Sequence, residues 1–513
     1  MNRVFGLETE YGITVNGAET VDVVAESIEL VRRYTDHGAH MKWDYELEDP
    51  HLDARGFRAR ELLQDTDESA YYEIDKNRPL SFEEIKSDLV LSNGARFYND
   101  HAHPEYSTPE CTTLRQIVAQ DKAGERILEE CARRRNSKLP DGQQVRLYKN
   151  NTDFAGHSYG CHDNYLMRRE LPWDRIVNGI LPFLITRQIF GGAGKIGVET
   201  ESAPSQPGIF QISQRADFFC VLVSIDTMNR RPLINTRDEP HADATRYRRF
   251  HVILGDSNMS EWATAMKIGT TALVLDLIER GQAPQLEIAQ PIDANKSISR
   301  DPTYDWIIEL KDGRKISAID VQRIYLRAAS KLDHGGSEDR QWVLDEWENV
   351  LNDLEREPMS ARDRVDWAAK KFLLNALQEE EKLSWTDPWL QSIDLEYHNL
   401  DRERGLYYEL VREGVMRRVT SEEEIKASIF SPPETTRAFF RGRSVARFNY
   451  EISSIQWDEI VFENGSTSRR IELPEAAMDV RLDALNQAAR NGKDFGEFMS
   501  AVAQVDQRPV AKT

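Results

Sequence analysis

The chain has 513 residues, which is enough for one large domain with a small appendage. Hydrophobic residues at 40% and charged residues at 30% are typical of an ordinary globular protein. The 66 basic and 87 acidic residues give a formal net charge of -21, which argues against a general nucleic-acid-binding surface, because such a surface needs a basic face.

The N-terminal segment and the cysteines predict a cytoplasmic protein that does not enter a membrane. The first thirteen residues, MNRVFGLETEYGI, contain no apolar signal-peptide core, and no run of 18 uninterrupted apolar residues occurs in the chain. The four cysteines lack metal-binding spacing, which is typical of free buried thiols in a reducing compartment. They are Cys111, Cys131, Cys161 and Cys220.

The hydrophobic periodicity predicts an α+β fold with a large domain over residues 1–428. Predicted strands lie at 1–13, 95–100, 143–150, 158–166, 209–213, 218–225 and 247–254, and predicted helices at 20–34, 113–135, 174–191, 258–280 and through most of 318–428. An irregular, charged stretch at about 43–90 interrupts this pattern. Insertions of this length are usually functional or disordered.

A small C-terminal α/β domain is predicted over residues 429–513. Pro432 and Pro433 break the helical pattern that precedes them. A helix, a strand pair near 455–471 with a turn at Asn464-Gly465, and terminal helices follow.

The first strand carries acidic side chains on one face. Because side chains alternate along a strand, Phe5 and Leu7 form an apolar back, whereas Gly6, Glu8 and Glu10 share the front. Two carboxylates beside glycine suit a hard cation with a closely approaching ligand. For these two carboxylates alone, an exposed sheet face explains the pattern equally well.

Three further predicted strands repeat this division into an apolar back and a polar front. The front residues are Arg96, Tyr98 and Asp100 on one strand, His162 and Asn164 on another, and Arg249 and His251 on a third. Carboxylates and imidazoles bind Mg²⁺ or Mn²⁺, and arginines neutralise phosphate oxygens. The pattern therefore predicts a metal-phosphate site on an antiparallel sheet.

Three other motifs give weaker signals. The GGAGKIG segment at 191–197 is not a Walker A loop, because Ile196 follows Lys195 where Ser or Thr is required. His101 and His103 either bind a metal or shape the turn after Asp100. The 237–241 segment is expected to be a loop held by local ion pairs unless the site lies beneath it.

Several long motifs resemble one known family. They are GLETEYGI, NGARFYNDHAHPEYSTPEC, YKNNTDFAGHSYGCHDNYL, FQISQRAD, INTRDEPHADATRYRRFHVILGDSN and PPETTRAFFRG. From residue 1 to about 465 the chain is similar to the family that contains the ligase and the deamidase of Pup, the small protein tag of actinobacteria. The resemblance implies a glutamine-synthetase-like large domain, with a curved antiparallel sheet packed by helices and related to carboxylate–amine ligases.

The insertion and the DHAHPEYS motif favour the deamidase branch of this family. That branch implies an ATP- and Mg²⁺-dependent hydrolase that deamidates the C-terminal Gln of Pup to Glu and cleaves the isopeptide bond of pupylated proteins. One alternative is a Pup–protein ligase, which forms that bond with ATP hydrolysis. Others are a non-catalytic, nucleotide-dependent Pup-binding scaffold and a small-molecule amine ligase.

The resemblance also implies roles for single residues. Asp100 matches the catalytic aspartate, as nucleophile or as general base. The implied Mg²⁺ ligands, which Mn²⁺ could also use, are Glu8, Tyr98, Glu105, His162 and His251. The implied contacts to ATP, as a cofactor that need not be consumed, are Gly6, Leu7, Glu8, Thr9, Glu10, Arg96, Ser107, Thr108, Asn164, Arg249 and Trp457. Trp457 could instead be a core residue.

Pup and pupylated proteins are the implied partners, with a functional link to the Pup ligase and the proteasomal ATPase. Because the binding part of Pup is acidic, we expect a basic groove. Arg437 and Arg441 are the candidates, although a solvated helix near the domain junction explains them as well. The insertion at about 43–90 is a candidate lid over the site.

Overall fold

The computed structural model describes most of the chain outside the predicted insertion. The described residues are 3–34, 39–40, 43–45, 48–60, 62, 88–200, 203–227, 230–239, 241–333, 335–465, 467–475, 479–506 and 511–512. Residues 63–87 and several shorter stretches of the insertion are therefore outside the described part, and the predicted lid lies mostly there. The described start of the insertion includes the short strand pair Leu52–Asp53 and Phe57–Arg58.

A seven-stranded antiparallel sheet forms the centre of the molecule. In spatial order its strands are Tyr247–Val252, Cys161–Arg168, Phe5–Glu10, His103–Ser107, Arg96–Asp100, Asp88–Leu91 and Ala39–His40. Glu8 pairs with His162 on one side and with Ser107 on the other. This register aligns the polar faces of neighbouring strands, so that front residues of one strand lie beside those of the next.

The back of the sheet packs against helices in a large hydrophobic core. Phe5, Leu7, Tyr165 and Phe250 are each at most 3% exposed and belong to this core. Each such side chain stabilises the fold by about 1.5–3 kcal/mol. The helices of this region are Val23–Arg32, Leu114–Asn136, Trp173–Thr186, Gln188–Gly191, Glu261–Glu279, Pro291–Arg300, Ala318–Ala329, Glu338–Arg356, Asp366–Glu381, Pro388–Glu396, Leu406–Arg412 and Glu422–Ser428.

The helix Leu114–Asn136 shows how local sequence sets these boundaries. Thr113 caps its N-terminus and forms a reciprocal capping box with Gln116. Three arginines in its last turn, Arg133–Arg135, complement the negative end of the helix dipole. The predicted helix at 113–135 is confirmed within a residue or two.

Smaller strand pairs complete the large domain. They are Gly12–Asn16 with Gln144–Tyr148, Lys195–Thr200 with Ala203–Gln211, Phe219–Ser224 with Arg231–Asn235, and Ile307–Glu309 with Lys315–Ser317. The segment that resembled a phosphate loop begins one of these strands, and its Lys195 is fully buried in ion pairs with Glu199 and Asp217. Rejection of the phosphate loop agrees with this geometry.

The C-terminal region has a hydrophobic core of its own. Helices Arg437–Phe448, Val480–Asn491 and Phe495–Val505 pack with the strands Ile452–Ile455, Glu459–Asn464, Thr467–Glu472 and Ala511–Lys512. Trp43 and Val90, from the first hundred residues, also enter this core. The α+β class is confirmed, whereas the boundary at residue 429 stays a prediction.

None of the four cysteines, all of which are among the described residues, forms a disulfide, as expected. Cys111, Cys131 and Cys161 are buried, but Cys220 is exposed, so the expectation of burial is wrong for that residue. Cys220 lies at an exposed position of the strand Phe219–Ser224, where side chains alternate between the interior and the surface.

Candidate active site

Front-face side chains from five strands converge on one cavity of about 360 Å³. Among the predicted site residues that line it are Glu8, Glu10, Arg96, Tyr98, Asp100, Glu105, Ser107, His162, Arg249, His251 and Trp457. They are far apart in sequence and meet because paired residues of neighbouring strands point to the same face. The prediction of one shared polar face is thus matched by the geometry.

One group of possible metal ligands consists of Glu8, His162 and His251. One ligand atom from each lies within 4.8 Å of the other two. Glu8 Oε2 is 3.2 Å from His162 Nδ1 and 3.5 Å from His251 Nε2. Both ring nitrogens of His251 are buried and accept or donate no hydrogen bond among the described residues. A half-buried carboxylate beside two imidazoles, of which His251 has both ring nitrogens unused, fits a divalent cation.

The protonation states of these side chains also favour binding of a divalent cation. Burial alone would raise the pKa of Glu8, but the neighbouring His162 and His251 rings and the charge of Arg249 hold it well below its usual value. Burial lowers the pKa of His251 to about 3, with Arg249 acting in the same direction. At neutral pH the group therefore contains a carboxylate and neutral imidazole, the forms that bind metal ions.

A second acidic group contains Glu10, Asp100 and Glu105, with ligand atoms again within 4.8 Å of one another. Burial and then the charges of Asp100, Glu8 and Glu10 raise the pKa of Glu105 well above its usual value. Such crowding of carboxylates is costly unless a proton or a cation compensates it. The donor set, oxygen-rich and partly buried, fits Mg²⁺ or Mn²⁺.

Asp100 remains ionised in this crowded environment. Burial raises its pKa, but the charge and hydrogen bond of His101 and the charge of Arg96 outweigh that effect and lower the pKa to about 2. His101 Nδ1 lies 3.0 Å from Asp100 Oδ1. The Asp100 carboxylate is thus able to accept a proton or to attack an electrophile.

A glycine without a side chain leaves room for one member of each possible metal group. Gly160 lies just before the strand Cys161–Arg168, and a Cβ atom there would lie 2.7 Å from His162 Nε2 and 2.8 Å from Glu10 Oε1. Any larger residue would displace one of these groups. The glycine therefore allows the imidazole and the carboxylate to approach each other.

A smaller cavity of about 100 Å³ adjoins the first and shares Glu8, Ser107, Arg249 and Trp457 with it. Gly6, Leu7, Thr108 and Asn164 also line it, as predicted for nucleotide contacts. Its wall combines apolar surface with polar groups. This combination is typical of sites for small ligands and cofactors.

Two arginines connect the cavities to the carboxylates. Arg249 Nη1 lies 3.2 Å from Glu8 Oε1 and donates to Asn164. Arg96 is buried, forms an ion pair with Asp88 at 2.7 Å, and stacks on the Tyr98 ring at 4.0 Å. Both guanidinium groups are positioned to neutralise an anionic ligand.

Two predicted site residues, Thr9 and Arg441, line neither cavity, whereas Arg437 lines the smaller one. Thr9 is 2% exposed and lines neither cavity, because alternation along the strand turns it to the back of the sheet. Arg441 is fully buried and donates to Glu110, Gly94 O and Trp457 O. Arg437 is also buried and pairs with Glu110 at 2.7 Å. Both arginines therefore contribute to the junction of the two cores, and their role in a Pup-binding groove stays a prediction.

The position of Trp457 is consistent with both interpretations made from the sequence, a contact to the nucleotide and a core residue. It lines the two cavities, and it also packs at the edge of the C-terminal core. Its ring makes an edge contact with Trp43 at 5.3 Å and lies under the guanidinium of Arg441 at 4.7 Å. The C-terminal region therefore forms part of the site.

Sequence reasoning missed Arg215 and Arg231 as lining residues of the larger cavity, whereas it had left the roles of His103 and of the loop that contains His241 open. Burial, with the charge of Arg231, lowers the pKa of Arg215 to about 10. Arg215 donates to Ser158 Oγ, and Arg231 donates to the Ser158 carbonyl. Arg215 was visible within the FQISQRAD motif, but strand alternation gives no signal for a residue in a short turn.

Comparison with known proteins identifies relatives over nearly the whole chain. A family model described as Pup-ligase protein matches residues 3–461. The depupylase of Acidothermus cellulolyticus is 45% identical over 474 residues, 90% of this chain and 91% of the relative. The Pup deamidase/depupylase of Mycobacterium tuberculosis is 42% identical over 480 residues, 91% of this chain and 92% of the relative.

Ligases match over a shorter region. The Pup–protein ligase of Saccharomonospora viridis is 45% identical over 368 residues, which is 70% of this chain and 80% of the ligase. A crystal structure of the complex between Pup and its ligase PafA superposes with a TM-score of 0.75 and 32% identity, covering 98% of this chain and 95% of that chain. Among the described residues, no helix has the length and apolarity needed to cross a membrane.

Proposed function

The chain belongs to the Pup-ligase protein family, and from that premise we propose that it is a Pup deamidase and depupylase. It would hydrolyse the side-chain amide of a C-terminal glutamine of Pup, and the isopeptide bond between Pup and a substrate lysine. The observation that carries the proposal is the cavity of about 360 Å³ in which Asp100, clustered with Glu10 and Glu105, shares the site with the group of Glu8, His162 and His251.

The extent of the matches favours hydrolase over ligase. The Pup deamidase/depupylase of M. tuberculosis aligns over 91% of this chain, whereas the ligase of S. viridis aligns over 70% at similar identity. The family resemblance places the insertion at about 43–90 on the deamidase side as well. The ligase remains the second candidate, because the Pup–PafA complex shares the fold over 98% of the chain.

We assign the chemical step to Asp100. Its ionised carboxylate either attacks the amide carbonyl carbon, forming an anhydride that water opens, or removes a proton from an attacking water. In both routes the amine leaves as ammonia or as the substrate lysine. His101, 3.0 Å from the Asp100 carboxylate, holds that carboxylate in place.

Arginines at the cavity wall are suited to the negative charge that develops on the carbonyl oxygen. Arg215 and Arg231 line the cavity from the side of Ser158, and both are buried. A fixed hydrogen-bond donor at a developing oxyanion lowers the activation free energy by about 3–4 kcal/mol. The same guanidinium groups suit recognition of a substrate carboxylate.

Mg²⁺ and a nucleotide are the cofactors that this donor set fits. Glu8, His162 and His251 would hold one cation, with Tyr98 and Glu105 as further ligands on the neighbouring strands. Bound Mg²⁺ and nucleotide would supply positive charge and phosphate groups to the site. The adjoining cavity of about 100 Å³ would receive the nucleotide beside Gly6 and Thr108. A solved Pup ligase of the family is a complex with ADP, which supports nucleotide binding.

The test is an assay with purified protein, Mg²⁺, ATP and Pup that ends in glutamine. We expect release of ammonia and the mass change from amide to acid in Pup. Asp100→Asn should lower turnover by at least about 100-fold while ATP binding is retained, because the substitution removes the base or nucleophile and keeps the shape. Near-normal ammonia release by Asp100→Asn would contradict the assignment.

The same purified protein also distinguishes a deamidase and depupylase from a ligase. Pup that ends in glutamate, a lysine-containing protein and ATP should give no conjugate with this chain. Conjugate formation with ADP release would make it a ligase. A preparation that binds ATP and Pup but converts neither substrate would indicate the non-catalytic scaffold.

A further inference from the structure

A third cavity lies behind the sheet, apart from the site described above. It has a volume of about 190 Å³ and shares no lining residue with the catalytic cavity. Lys122 and Arg126 contribute to it from the helix Leu114–Asn136. That helix packs on the back of the sheet, where a Cβ at Gly124 would lie 2.4 Å from the Tyr106 ring.

The lining of this cavity is cationic in a protein of net charge -21. Its residues are Lys122, Arg126, Arg402, Arg412, Arg418, Glu261, Glu422, Tyr407, Tyr408 and Val411. Five basic side chains thus face two acidic ones. Such local concentration of one sign in a concave surface attracts ions of the opposite sign.

The two acids are already engaged with the protein itself. Glu261 accepts hydrogen bonds from Arg418 Nε and from the amides of Val419 and Thr420. Glu422 lies 3.2 Å from Arg418 and 3.3 Å from Arg126. They hold the walls of the cavity together, while Lys122 and Arg402 pair in turn with Glu125 and Glu129 beside it.

Two donors in this lining remain unused. The Tyr407 hydroxyl is buried, in a side chain that is 1% exposed, and it has no hydrogen-bond partner within the described chain. Arg126 Nη1 is likewise buried without a partner among the described residues, although Nη2 of the same group faces Glu422. Buried donors without partners cost folding free energy, so such a pair is expected to have an acceptor in some state of the protein.

We propose that this cavity is a binding site for a small oxyanion, a phosphate or carboxylate group held by Arg126 and the Tyr407 hydroxyl. A guanidinium with a phenol donor is a strong combination for such oxygens. The size of the cavity suits a ligand smaller than a typical drug-sized molecule, whose pockets begin at about 300 Å³. The site is independent of the proposed hydrolase activity.

The direct test is crystallography of the full chain, with crystals soaked in tungstate, an anomalous scatterer that mimics phosphate. A second set of crystals soaked in citrate tests whether the site binds a carboxylate. We expect an anomalous peak between Arg126 and Tyr407 in the wild-type protein. The peak should be lost in Arg126→Gln and weakened in Tyr407→Phe. No peak in the cavity, or a peak that both variants retain, would overturn the proposal.

Solution measurements distinguish binding from a structural role. Tyr407→Phe removes an unpartnered hydroxyl, so the melting temperature without anion should stay equal or rise, whereas anion affinity at this site should fall about 10-fold. The matched control is Arg323→Gln, which removes a partly exposed arginine that pairs with the exposed Glu355. Its anion affinity should equal the wild-type value. A lower melting temperature for Tyr407→Phe without anion, with unchanged affinity, would assign the hydroxyl to folding instead.

Discussion

Single residues decide whether the front of the sheet can bind a cation. Glu8 is the carboxylate shared by the two histidines, by Asn164 and by Arg249. No other residue of the described site contacts all four of these groups. Its charge therefore links the predicted metal ligands to the predicted phosphate-binding residues.

Glu8→Gln should weaken cation binding and abolish most activity. Replacement of even an outer partner of a metal ligand costs about 10- to 100-fold in affinity, so loss of a direct ligand should cost at least that much. Mn²⁺ binding followed by electron paramagnetic resonance measures the effect. Glu29→Gln, in a helix-surface pair with Arg32 and Arg33, is the control and should bind Mn²⁺ normally. Normal Mn²⁺ binding by Glu8→Gln would remove Glu8 from the ligand set.

The sequence predicted the residues of regular strands better than those of turns. Alternation placed Glu8, His162 and His251 on one face without any knowledge of pairing. It could not find Arg215 or Arg231, because their position in the cavity depends on tertiary contacts with Ser158. Thr9 was included because the family motif was transferred as a whole strand, although alternation turns its side chain to the back of the sheet, and its contact to the nucleotide stays a prediction.

At the scale of secondary-structure elements, one strand that was not predicted shows the limit of prediction from local sequence pattern. His103–Ser107 lies between two central strands of the sheet, yet it contains Pro104 and follows a tight turn. Proline usually argues against a central strand. Here the Pro104 carbonyl still accepts a hydrogen bond from Tyr11 N, so the strand is paired despite the missing donor.

The junction between the helix Arg437–Phe448 and the sheet depends on a buried ion cluster. Glu110 accepts from Arg437 and Arg441, and Arg441 also donates to Gly94 O. Burial alone would raise the pKa of Glu110, but the two arginines lower it to about 2. The carboxylate therefore stabilises the folded state as an anion.

Glu110→Gln should lower the free energy of unfolding by about 3 kcal/mol at neutral pH. Because the folded pKa lies below the usual 4.5, the stability difference from the wild type should be complete above pH 4.5 and should narrow as the pH falls toward 2. Urea unfolding across this range measures it. Glu287→Gln, in an exposed pair with Lys311, should change stability by less than about 0.5 kcal/mol. A constant difference at every pH would contradict the charge argument.

At the scale of the whole molecule, the order of the main strands and helices could be predicted from the sequence. The contacts that bring the C-terminal region to the site could not. Strand and helix order could be predicted because apolar periodicity is a local property. The entry of Trp43 and Val90 into the C-terminal core is a contact between distant parts of the chain. Hence the two cores are more closely joined than a boundary at residue 429 suggests.

This joining predicts that cofactor binding stabilises the whole chain. Trp457 and Arg437 reach the smaller cavity from the C-terminal region, and Glu8 and Thr108 reach it from the sheet. A nucleotide with Mg²⁺ at 100 times its dissociation constant should add about 2.7 kcal/mol, or about 2–3 °C in melting temperature for a chain of this length. Scanning calorimetry measures this shift.

Melting temperatures measured with Mg²⁺ alone, ATP alone and both together identify the site at which ligand binding stabilises the protein. Mg²⁺ and ATP together should exceed the sum of either alone, because each would supply charge that the other needs at Glu8 and Arg249. EDTA should abolish the joint effect, and Glu8→Gln should reduce it to that of ATP alone. If Glu8→Gln showed the full wild-type shift, the cation and nucleotide would have to bind elsewhere. Since the carboxylates of Glu10, Asp100 and Glu105 are crowded before any ligand binds, we expect the stabilisation to come from relief of that repulsion.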